Sequence, residues 1–209
     1  WSRSALPAPA RSEMCIRDRG WGVCIVTIED GIGWTWVSNQ DKEALRGLQS
    51  FQCTTDRPKS PGGRALRHPK PWELEVQSYF RDRGCGRAKK RGTRRLLLAR
   101  RSGVIVAAAD TEVSISKDGD GSYVNFFICA VAINVSERGK GGRLARELVQ
   151  VLKDCAVQKA REGGLPRAKV YGRIDANNEP SVHLVDDMGF ELEQMESVHL
   201  QTWSTMLGV

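Results

Sequence analysis

The sequence predicts a single α/β domain of the mixed (α+β) type, and three observations carry that expectation. Apolar runs of strand length alternate with segments of helical period, in the order β-α-α-β-β-β-α-β-α-β-β. The 209 residues, 40% hydrophobic and 27% charged, suffice for one domain with its own core. No internal repeat is visible, and from residue 20 onward no shift of composition marks a second domain.

Residues 1–19 stand apart. Ser12 to Arg19 reads SEMCIRDR. Over all eight residues, and in frame, this resembles the translation of a transposon-end adapter used in preparing DNA libraries. A native basic tail is the alternative. We take residues 1–19 as a non-native, disordered segment and residues 20–209 as the domain. Without the segment's four basic and two acidic residues, the formal charge falls from +7 to +5.

The elements follow in order. Gly33 to Val37 (GWTWV) alternates weakly and reads as a strand. Ser38 or Asn39 can cap a helix over residues 41–48. Prolines and a Gly-Gly pair make Thr54 to Lys70 a loop. Pro71 opens a second helix, PWELEVQSYFRD, with Trp72, Val76, Tyr79 and Phe80 on one face. Arg81 to Arg91 is basic, glycine-broken and expected as a surface loop. Arg94 to Arg100 brackets a short buried strand, which turns at Arg101-Ser102-Gly103 into Val104 to Ala109. Asp118-Gly119-Asp120-Gly121 lacks the later glycine and the terminal glutamate of a calcium loop, so it reads as a hairpin turn. Tyr123 to Val135 is a long, nearly all-apolar strand. The next helix stripes Leu144, Leu148, Val151, Leu152 and Cys155 along one side and ends at Gly163-Gly164-Leu165-Pro166. Ala168 to Ile174 is a strand. Asn178 caps a short helix that stops at Gly189, and Glu191 to Met206 holds two more strand-like runs.

Composition excludes several classes. No apolar run is long enough to cross a bilayer as a helix. The six cysteines form no CxxC pair and have no histidines at metal spacing, so neither a zinc site nor a disulfide framework is expected, and a reducing cytoplasm fits. The charge of +7 suits an anionic partner without naming one, and also suits mere solubility.

The informative stretch is VAINVSERGKGGRLARELVQVL, residues 131–152. A buried strand ends in Arg138-Gly139-Lys140-Gly141-Gly142-Arg143 and turns directly into a helix. It is not a nucleotide-hydrolase P-loop, because no Ser or Thr follows Lys140 and no glycine stands five residues before Gly139. The third glycine of a dinucleotide fingerprint is also missing. The physics is nevertheless that of an anion site. Amides at the helix start are unpaired, the positive end of the helix dipole lies behind them, and glycines let a phosphate approach the backbone. A plain strand-to-helix turn with solvated basic residues is the bland reading.

A second motif decides between them. Asn178 to Phe190 (NEPSVHLVDDMGF) matches the pattern Asn-x-x-Ala/Ser-x-x-Leu-Tyr-x-x-x-Gly-Phe at all but one position. With Arg138-Gly139-Lys140-Gly141 upstream, the chain resembles the GNAT superfamily of N-acetyltransferases, of the bacterial type. The resemblance is specific over about residues 123–191 and reaches Gly33 more weakly through the element order.

The resemblance implies a twisted mixed sheet of about seven strands, flanked by about four helices, with a splayed strand pair forming the acyl-CoA cleft. It implies direct transfer from acetyl-CoA to a primary amine on a small molecule, a peptide amino terminus or a lysine. Main-chain groups of Ile133, Asn134 and Val135 would hold the pantetheine and acetyl carbonyl. Amides of Arg138, Gly139, Lys140, Gly141, Gly142 and Arg143 would hold the pyrophosphate, and Asn178 the cofactor's far side. No metal is expected. Two positions depart from the pattern. Arg143 stands where Gly or Ala is usual, and Val185 stands where a tyrosine often protonates the leaving thiolate; valine cannot donate a proton.

Glu112 and Asp175 are the candidates for the base that takes a proton from the incoming ammonium, and each also reads as an ordinary surface or capping carboxylate. Asn125 sits where a strand-borne base would, but cannot act as one. Glu73 and Glu75 read as cleft residues or, more simply, as a solvated helix face, and Trp72 as core rather than as a clamp on the acceptor. Arg81 to Arg101 holds ten basic residues and one acidic residue without interleaved aromatics. It supports an alternative, an RNA-associated acetyltransferase toxin acting on aminoacyl-tRNA, less well than a solvated charge run. Val185 supports another, a non-catalytic acyl-CoA-binding module. A homodimer is left open.

Overall fold

A computed structural model describes residues 13–16, 23–28, 31–37, 41–83 and 94–209. Strands β1 (Glu13–Ile16), β2 (Val23–Ile28) and β3 (Ile32–Val37) come first, then helices α1 (Lys42–Gln49) and α2 (Pro71–Ser78). A π-helical turn, Tyr79–Arg83, extends α2. Strands β4 (Arg94–Arg101), β5 (Val104–Asp118) and β6 (Gly121–Ile133) follow, then a short 3-10 turn, Val135–Glu137. The chain closes with α3 (Arg143–Glu162), β7 (Arg167–Asp175), α4 (Glu179–Asp187), β8 (Glu191–Met195) and β9 (Leu200–Gly208).

One sheet collects all nine strands in the order β1-β2-β3-β4-β5-β6-β7-β9-β8. Every neighbouring pair is antiparallel except β6 and β7, which are parallel because α3 carries the chain back between them. Strands β3 to β9 and the four α-helices among the described residues are the architecture that the resemblance implied. Strand β2, VCIVTI, is additional to the expected elements, and its β-branched residues suit a strand. Strand β1 pairs Glu13 to Ile16 with Val26 to Val23, where disorder was expected for residues 1–19. Residues 1–12 and 17–19 lie outside the described ones, as does the part of the predicted basic loop over residues 84–91.

Two apolar clusters lie on opposite faces, set by the strand's alternation. Leu97, Ala99, Ala107 and Ala109 point to α3, while Leu96, Leu98 and Ala108 point to α1. Alanine is a poor strand former, yet Ala107, Ala108 and Ala109 are fully buried, because small side chains let helices close on both faces of β5. On α3 the buried residues are Leu144, Leu148, Val149, Val151, Leu152, Ala156 and Ala160, and of the predicted stripe only Cys155 is no more than half-buried. Each buried leucine contributes about 2 kcal/mol. Gly164, at φ 63°, ends α3 while the Leu165 amide donates to the Ala160 carbonyl at 2.8 Å.

Three local expectations are corrected. The cap of α1 is Asp41, whose carboxylate accepts from the Ala44 amide at 2.9 Å; residues 38–40 lie outside the described ones. Strand β5 runs on to Asp118 rather than ending at Ala109, because its polar second half keeps pairing with β6. On α2 the fully enclosed positions include Gln77, which no apolar period marks. Its side-chain oxygen accepts from the amides of Cys53 and Thr54 at 2.9 and 3.0 Å and so anchors the long loop.

Candidate functional site

Strands β6 and β7 pair only from Val124↔Ala168 to Ile128↔Gly172. At that point β6 carries an extra residue. Thr111 of β5 faces Ile128 and Asp110 faces Ala130, so Cys129 is a bulge. Beyond it the two strands part, and the stretch Ala130 to Ile133 of β6 has no residue of β7 in register with it. A cavity of about 770 Å³ opens in the gap, reaching the start of α3, α4 and, across the sheet, α2.

The glycine turn closes one end. Gly141 and Gly142 lie at φ 67° and 69°, a left-handed pair that bends the chain from strand to helix. A Cβ built at Gly141 meets nothing within 4 Å. The space beside this backbone is open, as an anion cradle requires. Gly142 caps α3 without a side chain, and no acidic residue occupies the first turn. The positive end of the helix is therefore left uncompensated. These residues fit the diphosphate of a CoA molecule.

The predicted residues divide. Ile133, Arg138, Gly139, Gly141, Gly142 and Asn178 line the cavity. Asn178 is the N-cap of α4, yet its side chain makes no capping hydrogen bond and stays available to the cavity. Asn134, Val135, Lys140 and Arg143 are not among the lining residues. The Asn134 amide donates to Val106 and the Val135 amide to Gln52, each at 2.8 Å, so both turn away from the gap. Cys129, Ala130 and Val131, upstream, border it instead. Lys140 reaches Glu137 at 3.1 Å. Arg143 lies along its own helix, with Nε 2.9 Å from Glu147. One turn on, Arg146 lines the cavity and donates to the Gly141 carbonyl and to Asp187, each at 3.0 Å. Its signal in the sequence was its place one helical turn after Gly142.

Arg138 does not reach out alone. Its Nη1 lies 2.9 Å from both Glu73 carboxylate oxygens. Glu73 also accepts from Thr54 at 2.7 Å and Lys70 at 3.3 Å. Burial pushes its carboxyl up, but the Thr54 and Arg138 hydrogen bonds and the charges of Arg138 and Lys70 outweigh it. The group is held below the usual carboxylate range. Trp72, Glu73 and Glu75 line the cavity, so the helix face read as core or solvated is a wall of the site. Helical period could not reveal that, because it finds the face toward the core and not the one toward a cavity.

Of the candidate bases, Glu112 lies on β5 opposite Phe127 and is not among the lining residues. Asp175 is among them, but its Oδ1 accepts from the amide and side chain of Asn177 at 2.9 and 2.8 Å, the geometry of a capping turn. Val185 lines the cavity and none of the three tyrosines does. Tyr79 donates to Asp110, and Tyr171 stacks on Phe127 with ring centroids 4.8 Å apart. Burial pushes the lining thiol of Cys53 up to about 11, which keeps it neutral near pH 7. Among the described residues no cluster could hold a metal ion, and no helix is long and apolar enough to cross a membrane.

With this geometry in hand, the chain can be compared with known proteins. No family model and no curated protein matches it. Solved structures do. The GNAT domain of the S. lividans protein PAT is 14% identical, with a TM-score of 0.55 over 96% of this chain and 100% of that one. The AtaTR complex bound with acetyl-CoA is 14% identical, with a TM-score of 0.54 over 84% and 94%. AtaT complexed with acetyl-methionyl-tRNAfMet is 13% identical, with a TM-score of 0.52 over 82% and 93%. The chain has the fold of the GNAT acetyltransferases: an open mixed sheet whose parallel strand pair parts beside a glycine turn.

Proposed function

We propose that the chain is an acetyl-CoA-dependent N-acetyltransferase that moves an acetyl group directly to a primary amine. The observation that carries this reading is the parting of β6 and β7 after Ile128, which opens one cavity from the Gly139–Gly142 turn through to α2. The bound co-substrate would supply a thioester carbon; the amine nitrogen bonds to it as the C–S bond breaks, and the sulfur leaves as a thiol. The glycine turn and the α3 amides hold the phosphates. The open edge of Ala130 to Ile133 faces the pantetheine arm with main-chain donors and acceptors, and the apolar side chains of Leu144, Leu148 and Phe190 exclude water on the α3 side. Asn178 takes the far side. With valine at 185, the departing sulfur takes its proton from solvent or from the incoming ammonium, since a thiolate is a fair leaving group.

The likeness to AtaT is one of fold, and it is the reason to include aminoacyl-tRNA among the acceptors tested. The test is thiol release from acetyl-CoA across amines, peptides with free amino termini, lysine peptides and aminoacyl-tRNA, with CoA binding followed by calorimetry. Release with one acceptor class supports the reading. CoA binding without release on any acceptor would leave only an acyl-CoA-binding module, and no CoA binding would overturn both.

A further inference from the structure

The α2 wall of the cavity carries an unspent charge. Trp72, Glu75 and Val76 stand three and four residues apart on one helix, so they share a face, and all three border the cavity. The carboxylates bordering it are Glu73, Glu75, Glu137, Asp175 and Asp187. Glu73 is held by Thr54, Lys70 and Arg138. Glu137 pairs with Arg101 and Lys140, Asp187 with Arg146, and Asp175 accepts from Asn177. The carboxylate of Glu75 alone has neither a hydrogen bond nor an ion pair among the described residues, and the residue is exposed.

A carboxylate that pairs with the reacting amine without taking its proton would oppose the reaction, because an opposite charge favours the protonated form, which has no lone pair to attack with. Glu75 therefore suits a different charge on the same molecule. The indole of Trp72 and the side chain of Val76 suit methylene groups, and an indole face also attracts a cation.

Building on the acetyltransferase reading, we propose that this wall is the acceptor subsite. It selects a primary amine on an alkyl chain that bears a second positive charge, as a diamine or polyamine does. Glu75 holds the remote ammonium. Trp72 and Val76 hold the chain between. Glu73 and its three partners fix the wall in place. The near amine gives up a proton, its nitrogen forms the C–N bond as the C–S bond breaks, the sulfur takes a proton, and the remote ammonium keeps its own.

The experiment is calorimetry with putrescine, spermidine and butylamine on the CoA-saturated protein. Putrescine and spermidine should bind about fivefold more tightly than butylamine, the scale of one exposed charge pair. Glu75→Gln should erase most of that preference. Glu43→Gln, on the exposed side of α1 and outside the cavity, should preserve it. Equal binding of putrescine and butylamine to the wild type would overturn the proposal, and so would an undiminished preference in Glu75→Gln at unchanged CoA affinity. The preference is read by binding, so an absence of thiol release counts against the acetyltransferase reading, while the role of Glu75 still stands or falls on the titrations.

Discussion

The two ends of the cavity are built from different materials. The glycine-turn end, where we propose the phosphates bind, is main chain: a run from Gly139 to the first turn of α3, adjacent in sequence. The α2 end is side chain: Glu73 meets Arg138 across 65 positions of chain, and Thr54 joins from the long loop. A main-chain site is damaged by adding atoms, whereas a side-chain wall is damaged by removing them. The first is written in consecutive residues; the second exists only once the sheet has brought distant segments together.

The largest expected effect breaks the main-chain end. Gly141→Val puts a β-branched side chain at φ 67° and fills the open space beside the backbone. CoA affinity should fall by on the order of 100-fold in calorimetry, about 3 kcal/mol, with the far-UV spectrum retained. Unchanged affinity would remove the phosphate assignment.

Next comes Arg138→Ala, which touches both ends. It should weaken CoA binding by about 1 to 2 kcal/mol while the amides still hold the anion. It should also lower the melting temperature, since it strips one partner from Glu73. A loss of stability with CoA affinity intact would make Arg138 purely a strut of the α2 wall.

Glu73→Gln tests the same network through pH. The folded carboxyl is held below its ordinary value, so its contribution is fully present above about pH 4.5 and lost as pH falls through the folded value. The wild type should lose stability over that acid range more steeply than Glu73→Gln does. Parallel pH profiles would show that the cluster contributes nothing to the ionised form.

Smaller effects sharpen the contrast along α3. Arg146→Ala should weaken CoA binding by up to about 1 kcal/mol, whereas Arg143→Ala should change it little, both being exposed ion pairs but only Arg146 bordering the cavity. The smallest effect belongs to the amino terminus. If residues 1–19 are non-native, a chain starting at Gly20 should bind CoA and melt as the full chain does. A clearly lower melting temperature would give the pairing of Glu13–Ile16 with β2 a structural role and count against the adapter origin.

The sequence by itself determined what adjacent residues can specify. The stripe on α3 follows from its apolar period, and the turn at Gly141 and Gly142 from a need for left-handed backbone. The seven strands β3 to β9 and their order follow from period and punctuation, and Asn178 from its place in a local motif. Only the tertiary structure decided the rest. The bulge at Cys129 is a matter of register between β5 and β6, and no residue of β6 announces it. The parting of β6 from β7 depends on where pairing stops, which keeps Ile133 on the open edge but extends that edge upstream to Ala130 in place of Asn134 and Val135. Arg143 and Arg146 look alike in the sequence, and their different surroundings are set by which side of α3 meets α4. Trp72 and Glu75 read more simply as core and solvent than as clamp and cleft residues, because helical periodicity reports only burial, and a wall facing a cavity is neither. Pairing across long separations depends on the whole sheet assembling at once, so local patterns could place the glycine turn at one end of the cavity but not the wall opposite it.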